Sequence, residues 1–219
     1  MVERDLALSP AKPTLDMEPC YEDHPVNPWD GKWTRQRGYF NAYDVRARIY
    51  RGIFAGMCGV TYGHHHIWQF LNPELYKPIN TGDTLIGWRT AARAEAAGQM
   101  QFLKDLMLSR PYLSRIADQE LIRSDKGSSY TDAIIATRDS QGSYAMIYLP
   151  QNKPVTVDLK KITGTKAIWW FDPRTGKAIK GNVEKNKTEV TLTPPREGKD
   201  WVLVIDDTSK KFPQPGTLK

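Results

Sequence analysis

Acidic, aromatic and imidazole side chains crowd two short stretches of the chain. The first holds Asp16, Glu18, Tyr21, Glu22 and Asp23. A carboxylate at the end of a strand can attack an anomeric carbon and form a covalent glycosyl-enzyme, while a second carboxyl group protonates the departing oxygen. An acid that merely caps a loop has the same local sequence, so spacing alone leaves both readings open for Glu18. Strand alternation puts Asp16 and Glu18 on one face. Glu22 has a structural alternative, accepting hydrogen bonds from loop amides. The second stretch is Gly63-His64-His65-His66-Ile67-Trp68, with Tyr62 just before it. In an extended chain His64 and His66 share a face, but two histidines without carboxylates or cysteines at ligand spacing make an incomplete zinc set. Neither a metal nor a cofactor is expected. Histidines here suit hydrogen bonds to sugar hydroxyls or the orientation of a carboxylate, with plain packing as the other reading. The indole of Trp68 offers a flat apolar face to a sugar ring.

These side chains need elements to hold them. Thr14-Leu15-Asp16-Met17 follows a proline and reads as a short strand ending on an acid. From Pro19 to Trp33 the prolines and aromatics, among them Pro28, Trp29 and Trp33, indicate a long loop of the kind that carries function. Val45, Ile49 and Ile53 recur at four-residue spacing and predict a helix over about Asn41 to Ala55, with Asn41 or Asp44 as cap and Gly56 as terminator. Gly56 to Tyr62 reads as a second strand that delivers the histidine cluster. A second helix over about Thr90 to Ser109 carries Met100, Leu103, Leu106 and Met107 on one stripe, with Pro111 beyond its end. The order is βαβα.

After about Ser128 the period changes to two. Candidate strands are 132–137, 143–149, 155–159, 167–171, 188–193 and 201–205, with turns at 139–142 and 172–176 set by Asp, Pro and Gly. This is the pattern of an antiparallel β-sandwich. The expected division is therefore 1–125 for an α/β part and 126–219 for an all-β part. The second should fold by itself by burying Val155, Val157, Val190, Leu192, Leu203 and Ile205 between two sheets. Only one of the adjacent Trp169 and Trp170 can face that core, which leaves the other as a surface anchor in a binding-module reading.

Composition narrows the partners. The chain has 219 residues, 40% hydrophobic and 26% charged, and no stretch approaches the roughly 20 apolar residues of a membrane helix. No membrane association is expected. Residues 1–14 lack the basic start and apolar run of a signal peptide, so export is not legible from this chain. The net charge of +6 lies wholly in residues 126–219, which favours anionic partners such as acidic polysaccharide. The lysines are scattered and no nucleic-acid motif occurs, so nucleic acid is not an expected partner. Cys20 and Cys58 form neither a framework nor a CxxC pair and read as small buried residues.

Two ordered motifs, Pro13-Thr14-Leu15-Asp16-Met17-Glu18-Pro19-Cys20-Tyr21-Glu22-Asp23 and Ala55-Gly56-Met57-Cys58-Gly59-Val60-Thr61-Tyr62-Gly63-His64-His65-His66-Ile67-Trp68-Gln69-Phe70, resemble the apiosidase-like glycoside hydrolases. The end of the chain, through Trp169-Trp170-Phe171-Asp172-Pro173 and Pro194-Pro195-Arg196-Glu197-Gly198, resembles the β-sandwich labelled a collagen-binding domain of a collagenase. The resemblance implies strands seven and eight of a (β/α)₈ TIM barrel with their helices, followed by a small antiparallel β-sandwich. It implies a periplasmic or secreted bacterial retaining hydrolase of plant cell-wall, pectic-type polysaccharide. Glu18 then matches the nucleophile, and His65 and Trp68 match the residues after strand eight that line the sugar subsite. Tyr21, Glu22, Tyr62 and His64 complete the candidate subsite. The acid/base carboxylate belongs to an earlier strand, so the missing N-terminal barrel half is an expected partner alongside the polysaccharide or oligosaccharide substrate. A non-catalytic collagen- or polysaccharide-binding module is the alternative. Two strands cannot close a barrel, and their outer edges would carry unpaired backbone groups.

Overall fold

The computed structural model describes residues 2–26, 34–79, 86–129, 131–182 and 187–218. Pro28, Trp29 and Trp33 of the expected aromatic loop lie outside them.

The chain opens with helix α1 (Val2–Leu6) and strand β1 (Leu15–Asp16). Helix α2 (Ala42–Phe54) follows, and both expected caps act on it. The Asn41 side chain accepts from the amides of Tyr43 and Asp44, and the Asp44 carboxylate accepts from the Asn41 amide, forming a capping box. The chain then returns as β2 (Gly59–Val60), which pairs parallel with β1 through Leu15 opposite Gly59 and Asp16 opposite Val60. A helix between two parallel strands is the βαβ crossover that periodicity predicts.

Helix α3 (His65–Trp68) comes directly after β2. The single helix expected over 90–109 is instead two, α4 (Trp88–Ala91) and α5 (Glu95–Leu108). The break has a cause: the backbone of Ala94 is extended, at φ −60° and ψ 154°, and α5 starts anew on a side chain from elsewhere.

The remaining strands are β3 (Arg115–Ala117), β4 (Ile135–Asp139), β5 (Tyr144–Leu149), β6 (Val155–Asp158), β7 (Lys166–Phe171), β8 (Ala178–Gly181), β9 (Glu189–Leu192) and β10 (Trp201–Asp207). Six of them form an antiparallel sheet in the order β3-β4-β5-β10-β7-β8, and β6 and β9 form a separate antiparallel pair. Sequence periodicity misses β3 and β8, the two edge strands. Each is short and only partly buried, so neither carries a full apolar alternation. Because β3 joins the large sheet, that sheet takes in residues ahead of the period change near Ser128.

Alternation along β5 and β10 explains the layering. Ala145, Ile147 and Leu149 of β5, with Trp201, Leu203 and Ile205 of β10, face the β6–β9 pair and share a core with Val155, Val157 and Leu192. The opposite face presents Tyr144, Met146, Tyr148, Val202 and Val204, which pack against Val45, Ile49, Tyr50 and Ile53 of α2 and Leu103 and Leu106 of α5. Every residue of β5 and β10 is buried. The large sheet is thus a middle layer between helices and a small sheet. The expectation that residues 126–219 suffice for folding does not fit this arrangement, since one whole face of the sheet is covered by the preceding part of the chain.

Two buried ion pairs reinforce that contact. Arg46 of α2 meets Asp200, just before β10, and Arg110, beyond α5, meets Asp206 on β10, at 2.8 and 2.7 Å. The two adjacent tryptophans are also accounted for. Trp170 is 5% exposed in the core between the sheets, while Trp169 is half-buried on the helix side. Neither is the exposed anchor that the binding-module reading required.

Candidate active site

Glu18 and Trp68 meet because β1 and β2 are parallel: the loops that leave both strands lie at the same end of the pair. There they line a pocket of about 530 Å³. Glu18 is exposed, and its position is set by local bonds. Its amide donates to Oδ1 of Asp16 at 3.1 Å, so Asp16 serves the turn after β1 and does not stand as a second acid beside Glu18. The hydroxyl of Tyr21 donates to Oε1 of Glu18 at 3.4 Å. Partial burial, then the charge of Glu18 and the hydrogen bond to it, push the Tyr21 phenol above its ordinary pKa. The Tyr21 ring packs against Gly63, where a Cβ would sit only 2.2 Å from ring carbons. Gly63 therefore admits the tyrosine that holds the carboxylate.

The same pocket carries aromatic surface. Trp68 is 44% exposed, and Phe40 lies beneath the guanidinium of Arg48, whose carbon is 5.4 Å from the ring centroid. His24 also lines the pocket, with its Nδ1 donating to the Pro25 carbonyl at 2.8 Å. A carboxylate, a phenol, an imidazole, a guanidinium and two aromatic faces make a surface suited to a polyhydroxylated ring. Among the described residues of the lining, Glu18 is the only carboxylate.

Of the seven residues chosen from sequence, the pocket gathers Glu18, Tyr21 and Trp68. The other four lie behind it. Glu22 is 6% exposed. Its carboxylate accepts from the Tyr62 hydroxyl at 2.7 Å and from the Ala96 amide at 3.1 and 3.2 Å. It thus supplies the acceptor that Ala94, at the N-cap of α5, cannot, and its charge sits favourably at a helix N-terminus. The structural alternative for Glu22 is the one realised. Tyr62, as its donor, has a phenol raised by burial and by Glu22. His65 is 1% exposed, with its ring edge-on to His24 at 4.9 Å and 6.0 Å from Trp68, so it backs the tryptophan.

His64 caps α3 through Nδ1, which accepts from the His66 amide at 3.1 Å. Nε2 must then carry the proton of the neutral ring, and it faces Asp23 Oδ2 at 3.3 Å. The approach of His64, more than any other influence, holds Asp23 below the usual carboxylate value. Asp23, His64 and His66 bring one ligand atom each within 4.8 Å of one another. The trio fits a cation poorly, because a metal on Nε2 of His64 would require either an imidazolate or loss of the α3 cap.

His24, Phe40 and Arg48 are functional candidates that sequence reasoning missed. His24 sits one residue beyond the acid cluster and was within reach. Arg48 looks like any solvent-facing helix position, and only the fold brings it to the pocket that Glu18 also lines. The cysteines also differ from expectation. Cys58 is exposed, whereas Cys20 lines the pocket with its thiol pushed up to about 12 by burial, which leaves it unreactive at neutral pH.

Residues 1–114 match the family described as "Apiosidase-like, catalytic domain", and residues 116–206 match "Putative collagen-binding domain of a collagenase". No curated protein matches the chain. A solved structure described as "Glycoside hydrolase" superposes with a TM-score of 0.84 at 34% identity, covering 95% of this chain and 45% of that one. A glycoside hydrolase family 5 structure from Bacteroides vulgatus ATCC 8482 gives a TM-score of 0.84 at 32% identity, covering 99% of this chain and 46% of that one. The chain therefore spans less than half the length of these solved structures.

Proposed function

The chain belongs to the apiosidase-like glycoside hydrolase family, and on that footing we propose that it is the C-terminal part of a retaining hydrolase of plant cell-wall, pectic-type polysaccharide. In this reading residues 1–125 supply the last two βα units of a (β/α)₈ barrel, and residues 126–219 are its β-sandwich. The observation that carries the proposal is Glu18, an exposed carboxylate just past the end of a parallel strand, held by Tyr21 and lining one pocket with Trp68. Barrel enzymes build their sites at that end of their strands.

Glu18 attacks the anomeric carbon as the bond to the leaving oxygen breaks. An acid from an earlier barrel strand protonates that oxygen, and water later hydrolyses the glycosyl ester, with the same group acting as base. Tyr21 holds one Glu18 oxygen, which leaves the other to attack. Trp68 stacks on the sugar, with His65 behind it.

The test joins this chain to the portion of the Bacteroides vulgatus hydrolase that has no counterpart here. The fusion should cleave aryl glycosides, and Glu18→Gln should reduce cleavage by more than about a thousandfold without altering the fold. A 2-fluoro glycoside inactivator should label the peptide containing Glu18. Retention of activity by the Gln variant, or a label on another residue, would overturn the assignment.

A further inference from the structure

Trp68 is the last residue of α3, and Phe70 follows it by two positions, so their Cα atoms lie within about 7 Å of each other. The turn that ends the helix is a Schellman motif. The Phe70 amide donates to the Ile67 carbonyl at 2.9 Å and the Leu71 amide to the His66 carbonyl at 3.0 Å. This motif puts its left-handed position on Phe70, whose φ is 47°. Glycine is the usual residue there, because a Cβ is strained at positive φ. Among the described residues Phe70 is the one aromatic side chain in that condition. Burial does not offset the strain, since Phe70 is 66% exposed. Its surroundings hold the backbone in place. Leu71 is fully buried, the Gln69 side chain bridges the His65 carbonyl and the Ile79 amide at 2.8 and 2.9 Å, and the Tyr76 hydroxyl is hydrogen-bonded to the Phe70 carbonyl. The Phe70 ring meets Trp88 edge-on at 5.9 Å, and the Arg89 guanidinium carbon sits 4.4 Å from the Trp88 centroid. Strain that the surroundings enforce and packing does not explain is characteristic of ligand clamps.

We propose that Phe70, braced by Trp88, is a second sugar-stacking platform, which takes the unit of a saccharide chain next to the one on Trp68. The inference rests on the hydrolase reading above and adds the form of the substrate: a chain of at least two units, not a single glycoside. Two observations select this occupant. The platform continues along the chain from Trp68, whose pocket already joins aromatic surface to hydrogen-bonding groups. Arg89, exposed beside Trp88, also sets guanidinium donors next to the rings, which a hydroxylated ligand can use and a purely apolar partner cannot.

Titration calorimetry on the full chain compares tetragalacturonate and galactotetraose, an acidic and a neutral pectic chain, with their methyl monosaccharide glycosides. At least one tetrasaccharide should bind more than about tenfold more tightly than its monosaccharide. Phe70→Gly should remove that advantage while leaving the melting temperature unchanged or higher, because glycine relieves the positive φ. Phe70→Tyr keeps the flat ring and should keep the preference for the longer chain. A fall of more than about 4 °C in the melting temperature of Phe70→Gly would make the ring a packing element and overturn the inference. Equal affinity for short and long saccharides, a length preference that survives Phe70→Gly, or self-association of the chain that this substitution abolishes would each do the same. The function is scored separately in the fusion described above. Cleavage that requires Glu18 but ignores chain length sinks the platform and spares the nucleophile, whereas a Phe70-dependent length preference with cleavage unaffected by Glu18→Gln does the reverse.

Discussion

Replacing Arg46 by methionine should destabilise the whole chain and not only α2. Arg46 donates from Nε and Nη2 to the two oxygens of Asp200 at 2.9 and 2.8 Å, and from Nη1 to Gln99 Oε1 at 2.6 Å. Tyr148 adds a donor to Asp200 at 3.0 Å. The Arg46 and Asp200 side chains are 3% and 0% exposed. Methionine keeps most of the volume but leaves the Asp200 carboxyl buried with one tyrosine hydroxyl as its remaining side-chain partner. Breaking such a pair from one side costs about 3–5 kcal/mol. Against a typical total of about 5–15 kcal/mol, that is a large fraction. Adding Asp200→Leu removes the stranded charge, so the double variant should recover most of the loss, with a coupling of about 2–3 kcal/mol. Urea unfolding followed by tryptophan fluorescence and by far-UV circular dichroism measures both quantities. The two probes should coincide, because Arg46–Asp200 and Arg110–Asp206 tie the helices to β10. Residues 126–219 alone would expose Tyr144, Met146, Tyr148, Val202 and Val204 and should unfold without cooperativity. A cost for Arg46→Met below about 1 kcal/mol, a double variant no better than the single, or separate transitions would refute the reasoning.

Glu22→Gln should lower stability by about 1–2 kcal/mol, because the amide keeps the shape but loses the charge at the start of α5. Faster hydrogen exchange at Ala96 reports that loss, and an unchanged melt with altered sugar affinity would instead make Glu22 a substrate contact. Stability should also fall in acid. Burial opposes the charged forms of Asp118, Asp139 and Asp207, but hydrogen bonds from Lys161 and Arg138, from Ser114 and Ser143, and from Thr163 and Ser209 outweigh it and hold each below 3.8. A carboxylate depressed on folding stabilises above its unfolded pKa and loses that contribution as pH falls through the folded value. The melting temperature should therefore drop most steeply below about pH 4, and a flat profile from about pH 4 to 2.5 would contradict this.

The sequence by itself determined what depends on neighbours along the chain. The capping box at Asn41 and Asp44, the alternation of β5 and the glycine turns at 142 and 176 are local, and each is legible because period and φ preference act within a few residues. The acid cluster and its glutamate after β1 are legible for the same reason. Tertiary structure decided which of these residues share a surface. Glu22 and Glu18 are four residues apart in one loop, yet only Glu18 faces the pocket, because the amide that claims Glu22 belongs to Ala96 on α5. The tyrosines of β5 look like an exposed strand face until α2 and α5 cover them. Their burial, the edge strands β3 and β8, and the position of Arg48 in the lining of the Glu18 pocket all depend on contacts between distant parts of the chain. The free energy of burial is set by what lies across the contact, and local periodicity carries no record of that partner.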